Sequence, residues 1–200
     1  PQQAEKVDSS LPLFDTEMLI EVEALNIDSA SFHQIKEAHQ NDVQKMEKFI
    51  LDLVRARGKH HNPVTGSGGM LIGKIVEIGS KFLEGKHASE HVKVGDRVAT
   101  LVSLTLTPLE IRKIKKIHLG LDRVDVEGHA ILFQSGLYSK LPSDISDTES
   151  LAILDVCGAP AQTEKLCKPC QTVVIVGGGG KSGILCAYVA KKKVGKTGKV

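Results

Sequence analysis

The chain has 200 residues and a mass of 21.5 kDa, enough for one good-sized domain or for one small domain and part of another. Hydrophobic residues make up 41% and charged residues 25%, and no apolar run approaches the roughly 20 residues of a membrane helix, so a transmembrane helix is excluded. The 26 basic and 24 acidic side chains leave a net charge of +2. Because there is no Trp and the two Tyr and five Phe are not interleaved with Lys or Arg, nucleic-acid binding has little support.

The start of the chain and the cysteines indicate where the protein resides. The first ten residues contain no apolar segment of the kind that a signal peptide has. All four cysteines lie in the last quarter of the chain, at Cys157, Cys167, Cys170 and Cys186, which is not how a secreted, disulfide-framed domain distributes them. We therefore expect a cytoplasmic protein.

The first 140 residues are predicted to form short strands with one helical insertion. Residues 18–24 alternate apolar and polar side chains, which indicates a strand with one solvated face. Between residues 41 and 57 apolar side chains recur every three or four positions, with Asp42 placed to cap a helix and Gly58 to end it. Further β structure is expected at residues 70–78, 97–104 and 131–140.

After Pro142 the pattern becomes helical. Ser146 and Glu149 have the spacing of a capping box, which predicts a helix over the apolar residues that follow. A second short helix is expected over residues 161–168, because prolines bound that segment.

The last 30 residues read as the beginning of an α/β domain. Residues 172–176 form a continuous β-branched run, which is typical of a strand buried on both faces in a parallel sheet. A helix is predicted over residues 184–193, and residues 197–200 resemble the start of another strand. Since one strand and one helix cannot bury a parallel sheet, we expect the chain to be the N-terminal part of a longer one.

A glycine-rich turn joins that strand to that helix. Gly178, Gly180 and Gly183 fit the pattern G-x-G-x-x-G, and Gly177 with the last two fits a G-x-x-G-x-x-G variant. Unpaired backbone N–H groups at a helix N-terminus suit a diphosphate, and glycines let it approach the backbone. The predicted cofactor-binding residues are Gly177, Gly178, Gly179, Gly180, Lys181, Ser182 and Gly183.

Other interpretations of the turn remain. Gly180-Lys181-Ser182 is similar to the end of a nucleoside-triphosphatase loop, but that loop requires a glycine where Ile175 stands. Lys181 is either a further phosphate contact or a surface residue of the first helical turn. A glycine loop that binds no ligand is the alternative for the whole turn.

The order of elements and several local sequences resemble the medium-chain dehydrogenase/reductase superfamily. The matching segments are residues 62–66 leading into 73–79, residues 92–98, and Lys168-Pro169. The resemblance implies an α/β fold class, with a GroES-like β domain over residues 1–150 that carries the substrate site. Residues 151–200 would be the first helices, strand, glycine turn and helix of a Rossmann doubly wound parallel sheet, which binds NAD or NADP.

Longer matches narrow the resemblance to one family. Residues 24–32, 62–73, 99–109 and 155–162 look like the L-erythro-3,5-diaminohexanoate dehydrogenases. This resemblance implies an oxidoreductase of lysine fermentation that deaminates its substrate oxidatively, with NAD or NADP, to 5-amino-3-oxohexanoate and ammonia. The implied partners are the small amino-acid substrate and a second copy of the chain in a homodimer.

By the resemblance, most metal ligands of the superfamily are missing from this sequence, and only Cys157 falls near a zinc-ligand position, the third. Zinc alcohol dehydrogenases carry Gly-His-Glu where this chain has Gly66-Ser67-Gly68, and the region from Leu104 to Ala130 has no cysteine for a structural zinc lobe. We therefore expect no metal site.

Two remaining clusters of possible ligands have simpler interpretations. Cys167-x-x-Cys170 has a ligand spacing, but structural zinc usually takes two such pairs, and Cys170 is interpreted as a buried small side chain. The pair His60-His61 is interpreted as surface or core histidines.

Three residues are candidates for catalysis. A neutral amine expels hydride with its own lone pair, so the enzyme must hold the amine unprotonated and deliver water. By the resemblance, Asp28 lies near the first zinc-ligand position and is the first candidate for the base, whereas an Asp after a strand is as often a turn or cap residue. Ser67 either hydrogen-bonds the substrate or fills the loop, and Asp155 is a weaker candidate.

Two other functions fit parts of the sequence. A zinc-free quinone or enoyl reductase of the same superfamily would share the glycine turn and the missing histidine. A non-catalytic nucleotide-binding protein would need the glycine turn alone.

Overall fold

The chain folds into two compact units, Pro1–Leu151 and Ala152–Val200. The computed structural model describes residues 4–62, 64, 66–87 and 90–200. No helix within those ranges has the length and apolar character needed to cross a membrane.

The first unit is built on a six-stranded antiparallel sheet. Its strands are β1 (Glu17–Asn26), β2 (Met70–Ile78), β3 (Arg97–Thr100), β4 (Leu109–His118), β5 (Arg123–Phe133) and β6 (Tyr138–Lys140). The order across the sheet is β4-β5-β1-β2-β3-β6, so β1 lies inside the sheet with both edges paired. The core of the unit lies on this strand and its neighbours, where Met18, Ile20 and Val22 are fully buried.

The predicted strands are confirmed with different bounds. Strands β1 and β2 form where the sequence predicted them. Glu21 is exposed on β1, as the alternation of apolar and polar side chains in that strand requires. Strand β3 ends at Thr100 instead of residue 104. Residues 131–140 are not one strand, because residues 134–137 separate the end of β5 from β6. Strand β4 and most of β5 were not predicted.

Two helices follow β1 where the sequence predicted one. Helix α2 (Val43–Arg57) matches its prediction: the Asp42 carboxylate accepts a hydrogen bond from Lys45 N at 3.2 Å, and Gly58 ends the helix with φ +65°. Helix α1 (Ser29–Ala38) was missed. It buries only Ser31, Phe32 and Ile35, too few apolar positions to show a helical period.

Gly58 occupies a position where no other residue fits. A Cβ there would lie 2.0 Å from the Val7 carbonyl oxygen, and φ is already in the left-handed region. We expect Gly58→Ala to lower the free energy of unfolding by about 2–4 kcal/mol, from backbone strain plus overpacking. Chemical denaturation measures the change. Gly85→Ala is the control, since Gly85 has φ +74° but nothing within 4 Å; equal losses in the two variants would contradict the clash.

The helices after the sheet are α3 (Asp147–Leu154), α4 (Gly158–Leu166) and α5 (Lys181–Val194). The capping box is confirmed, because Glu149 accepts hydrogen bonds from Ser146 N and Oγ at 2.9 and 2.7 Å. Helix α4 begins three residues before its predicted start. Helix α5 also begins early, directly after the glycines.

The prediction of a strand buried on both faces at residues 172–176 is wrong in this structure. Val174 and Val176 are 81% and 95% exposed. A parallel strand is buried by neighbours on both sides and helices on both faces, whereas this segment has a single parallel bridge, from Thr172 to Lys199. That bridge does pair the segment with residues 197–200, where a further strand was expected.

The prediction for Cys170 is also wrong. This residue is exposed and has φ +65°, a left-handed conformation that glycine adopts most easily. Its Sγ lies 3.1 Å from Thr197 Oγ1. The thiol is therefore a surface group at a turn.

Candidate active site

Asp28 lies at the junction of β1 and α1. It is the N-cap of α1, and its Oδ1 accepts a hydrogen bond from Ser31 N at 3.1 Å. An Asp in this position satisfies a backbone N–H that the helix leaves unpaired. The interpretation of Asp28 as a helix cap is therefore confirmed. The capping hydrogen bond uses only one oxygen of the Asp28 carboxylate.

The other oxygen of Asp28 is bound by Ser67. Ser67 Oγ donates to Asp28 Oδ2 at 2.7 Å, and it also lies 3.0 Å from Ser31 Oγ. We call Asp28, Ser31 and Ser67 the Asp28 cluster. Two of the three predicted catalytic residues are thus in direct contact, and Ser31, which is fully buried, joins them.

The antiparallel pairing of β1 with β2 explains how Ser67 reaches Asp28. Asn26, the last residue of β1, pairs with Met70, the first residue of β2, so the segments beyond these residues run side by side. Gly69 makes the approach possible, because its φ is +92° and a Cβ would lie 1.9 Å from the Asn26 carbonyl oxygen.

The environment of Asp28 keeps it ionised. Burial alone would raise the pKa of the carboxyl, but hydrogen bonds from Ser31 and Ser67 outweigh it, and the pKa lies below its ordinary value. Asp28 is therefore an anion at neutral pH, held by two hydroxyl-bearing residues.

His60, which the sequence analysis interpreted as a surface or core histidine, is a core histidine next to the Asp28 cluster. It is fully buried, and neither ring nitrogen has a partner with hydrogen-bond geometry among the described residues. Burial lowers the pKa of His60 to about 4, against the attraction of Asp28 and of the Gly68 backbone. The ring is neutral at pH 7, and its charged form is excluded by the cost of desolvation.

The burial of His60 makes stability depend on pH. In the unfolded chain His60 takes up a proton near pH 6.5, but in the folded chain only near pH 4. The free energy of unfolding should therefore fall by up to about 3 kcal/mol as pH decreases from 6.5 to 4, and no further from this group below that.

Urea denaturation at several pH values between 7 and 4 measures this dependence. His60→Gln, which does not titrate, should lose that part of the slope. A variant with the wild-type slope would show that other groups cause it.

The second unit contains the glycine turn. Helix α5 begins at Lys181 with Gly180 as its N-cap, and no side chain caps it. A Cβ on Gly183 would lie 2.5 Å from Gly178 Cα, so only glycine lets this helix pack on the turn. Gly177 has φ +77°.

The turn has open space where a diphosphate would bind. A Cβ on Gly177, Gly179 or Gly180 would meet nothing within 4 Å. Lys181 and Ser182 lie in the first turn of α5, where the helix dipole favours an anion. The predicted cofactor-binding residues are thus contiguous around an uncapped helix N-terminus, an arrangement that fits the diphosphate of a dinucleotide.

The third predicted catalytic residue, Asp155, belongs to this second unit. Its Oδ2 lies 4.0 Å from Lys181 Nζ, and its side chain is largely buried. The structure thus associates Asp155 with the first residue of the α5 helix.

Possible metal ligands are dispersed in the described part of the chain. No three His, Cys, Asp or Glu side chains come together there in a way that could hold a metal ion. The four cysteines are all free thiols.

Comparison with known proteins identifies the first unit. Residues 1–142 match a family model described as the N-terminal domain of L-erythro-3,5-diaminohexanoate dehydrogenase. The chain belongs to this family. The resemblance seen in the sequence is therefore confirmed.

Two curated relatives support the assignment to the L-erythro-3,5-diaminohexanoate dehydrogenase family. Proteins of that name from Acetoanaerobium sticklandii and Fusobacterium nucleatum are each 56% identical to this chain over 200 residues. The match covers 100% of this chain and 57% of each relative. The chain therefore spans little more than half the length of the relatives that it matches.

Solved structures show the same fold at low sequence identity. A quinone oxidoreductase from Coxiella burnetii superposes with a TM-score of 0.52 at 17% identity, covering 94% of this chain and 49% of that one. The CurK enoyl reductase gives 0.51 at 16% identity, covering 94% and 46%. This member of the L-erythro-3,5-diaminohexanoate dehydrogenase family thus shares its fold with these two proteins.

Proposed function

We propose that the protein containing this chain oxidatively deaminates L-erythro-3,5-diaminohexanoate to 5-amino-3-oxohexanoate and ammonia, passing hydride to NAD or NADP. The observation that carries the proposal is the hydrogen bond of 2.7 Å that Ser67 Oγ donates to Asp28 Oδ2. This bond orients an ionised carboxylate in the N-terminal domain of this family. The glycine turn supports a dinucleotide as the second substrate.

Asp28 is the base in this proposal. The substrate amine binds as an ammonium ion beside the Asp28 carboxylate and gives it one proton, which leaves the nitrogen with a lone pair. The nicotinamide supplies the hydride acceptor. As the C–H bond breaks, the nitrogen lone pair forms a C=N bond, so the substrate becomes an iminium ion.

The same carboxylate then acts as the base in the hydrolysis of the iminium ion. After releasing its first proton, Asp28 takes a proton from a water molecule as that water adds to the iminium carbon, and ammonia leaves as the C=O bond forms. In total one ammonium substrate, one oxidised cofactor and one water give the ketone, an ammonium ion, the reduced cofactor and a proton. Ser67 orients the carboxylate throughout, in the place where zinc enzymes of the superfamily carry a histidine ligand.

The glycine turn is proposed to hold the cofactor. Gly177 to Gly180 would bring backbone N–H groups to the diphosphate, and Lys181 would add a positive charge. In the same proposal, residues 1–150 form a GroES-like domain and residues 151–200 begin a Rossmann domain. The protein would act in lysine fermentation, as a cytoplasmic homodimer.

Steady-state assays of the intact protein test the proposal. Incubation with the diamino acid and NAD, or NADP, should increase the absorbance of reduced nicotinamide and release one ammonia per turnover. Oxidation of reduced nicotinamide by a quinone or an enoyl substrate, without turnover of the amine, would overturn it in favour of a reductase. Binding of the dinucleotide with turnover of neither would favour a non-catalytic role.

A further inference from the structure

Asn26, the last residue of β1, carries a donor that the described part of the chain does not satisfy. The residue is 2% exposed, and its Nδ2 has no hydrogen-bond partner among the described residues. A side-chain amide nitrogen offers two N–H groups, and a buried donor without an acceptor is costly and rare in native proteins. The amide of Asn26 therefore indicates that an acceptor binds beside it.

Arg123 is the neighbour of Asn26 across the sheet. The two residues are directly paired in the register of β1 with β5, so their side chains lie on the same face with Cβ atoms about 5 Å apart. A guanidinium group has donors but no acceptor, so Arg123 cannot satisfy the Asn26 amide. Together the two side chains present N–H groups and one positive charge.

Two contacts fix the guanidinium of Arg123 and leave one nitrogen available. Its Nε donates to Asp125 Oδ1 at 2.6 Å, and its Nη1 donates to Thr148 Oγ1 at 3.2 Å. Its Nη2 makes no hydrogen bond or ion pair with any residue that the structure describes. Because the side chain is 17% exposed, a ligand from solvent can reach it.

Asn26 and Arg123 lie on the same side of the sheet as Asp28. Side chains alternate along an extended chain, and Ile27, between Asn26 and Asp28, packs into the core on the opposite side. Asp28 still has an extended backbone, with φ −55° and ψ 145°. The α-carbons of positions 26 and 28 are therefore at most about 7 Å apart.

The chemistry of these groups matches a carboxylate. Arginine and amide N–H groups bind carboxylate oxygens, whereas the charge of Arg123 would repel an ammonium ion. In a 3-amino acid the amine and the carboxylate are only three bonds apart. An amine beside Asp28 thus brings the carboxylate of the same molecule toward Asn26 and Arg123.

We propose that Asn26 and Arg123 bind the carboxylate of the substrate. The inference rests on the proposed function, in which Asp28 takes a proton from the amine that is oxidised. Asn26 and Arg123 are then residues that determine specificity, because they distinguish an amino acid from an amine that has no carboxylate.

A comparison of two substrates tests the inference in the intact protein. The substrates are L-erythro-3,5-diaminohexanoate and pentane-2,4-diamine of matching configuration, which is the same molecule without the carboxylate. In Arg123→Gln we expect kcat/KM for the diamino acid to fall about 10- to 100-fold, the effect of losing a hydrogen bond between charged groups. The value for the diamine should equal that of the wild type.

Arg97→Gln is the matched control for Arg123→Gln. Arg97 also joins the sheet to the first turn of α3, through Asp147 at 2.9 Å, but it lies on β3 and is not paired with Asn26. It should keep the wild-type kcat/KM for both substrates. Equal losses in the two arginine variants would assign the effect to the attachment of α3 and overturn the inference.

Asn26→Leu tests the amide separately from the charge. Leucine has a similar size and removes a donor that is unsatisfied in the unliganded protein, so the free energy of unfolding should not decrease. KM for the diamino acid should rise about 10-fold, from the loss of one hydrogen bond to a charged group. KM for the diamine should not change.

The possible failures are distinguishable. If the wild-type protein oxidises the diamine as efficiently as the diamino acid, or if Arg123→Gln and Asn26→Leu affect both substrates equally, these residues do not bind the carboxylate. The inference is then overturned while the proposed amine oxidation stands. If the wild-type protein oxidises neither substrate, the proposed function fails and the inference fails with it.

Discussion

Asp28→Asn is expected to reduce kcat for oxidative deamination by about 10²- to 10⁴-fold, the usual contribution of a general base. Asn has nearly the same shape and still caps a helix, so the variant should fold and bind NAD or NADP as the wild type does. It cannot accept a proton from the substrate ammonium or from water. Steady-state assays with the diamino acid, together with equilibrium binding of the dinucleotide, measure the two effects separately.

Asp42→Asn is a matched control for this prediction. Asp42 caps α2 through Lys45 N just as Asp28 caps α1 through Ser31 N, but it does not belong to the Asp28 cluster. A loss of kcat confined to Asp28→Asn assigns the effect to chemistry. Unchanged turnover in Asp28→Asn, or equal losses in both variants, would remove Asp28 from the mechanism.

Gly183→Ala is expected to weaken dinucleotide binding by about 100-fold or more. The added methyl would lie 2.5 Å from the Cα and the carbonyl oxygen of Gly178, so α5 must move away from the turn. The backbone N–H groups then no longer converge on the diphosphate, and losing two hydrogen bonds to a charged group costs about 3 kcal/mol or more. Isothermal titration with NAD and with NADP measures the affinity.

Gly158→Ala serves as the control for Gly183→Ala. Gly158 is the first residue of α4, in the same unit, and a Cβ there meets nothing within 4 Å. Its affinity for the dinucleotide should equal that of the wild type. If Gly183→Ala also bound the dinucleotide normally, the turn would not be the diphosphate site.

Local signals in the sequence were sufficient for part of the fold. Helix α2 was predicted with its cap and its end because Asp42, the apolar period and Gly58 all act within one element. Helix α1 and strand β4 were missed for the opposite reason. Helix α1 has few apolar residues, and β4 breaks its alternation at two irregularities of pairing with β5, so neither shows a clear period.

The candidate site was predictable only in part. Asp28 and Ser67 were selected through the family resemblance, 39 residues apart in sequence, and the pairing of β1 with β2 brings them together. Ser31 and His60 carried no signal of their own: a serine inside a helix and a histidine in a pair are common surface residues. Their importance comes from complete burial next to a carboxylate.

The sequence by itself determined the family, the capped helices and the glycine turn with its uncapped helix, because these depend on neighbouring residues and on the conformations they permit. Only the tertiary structure decided that one Asp28 oxygen caps α1 while the other is bound by Ser67, and that the ring of His60 is fully buried. Contacts of this kind join segments far apart in the chain. They are set by strand register and by close approaches such as that of Gly69 to Asn26, which no local pattern encodes.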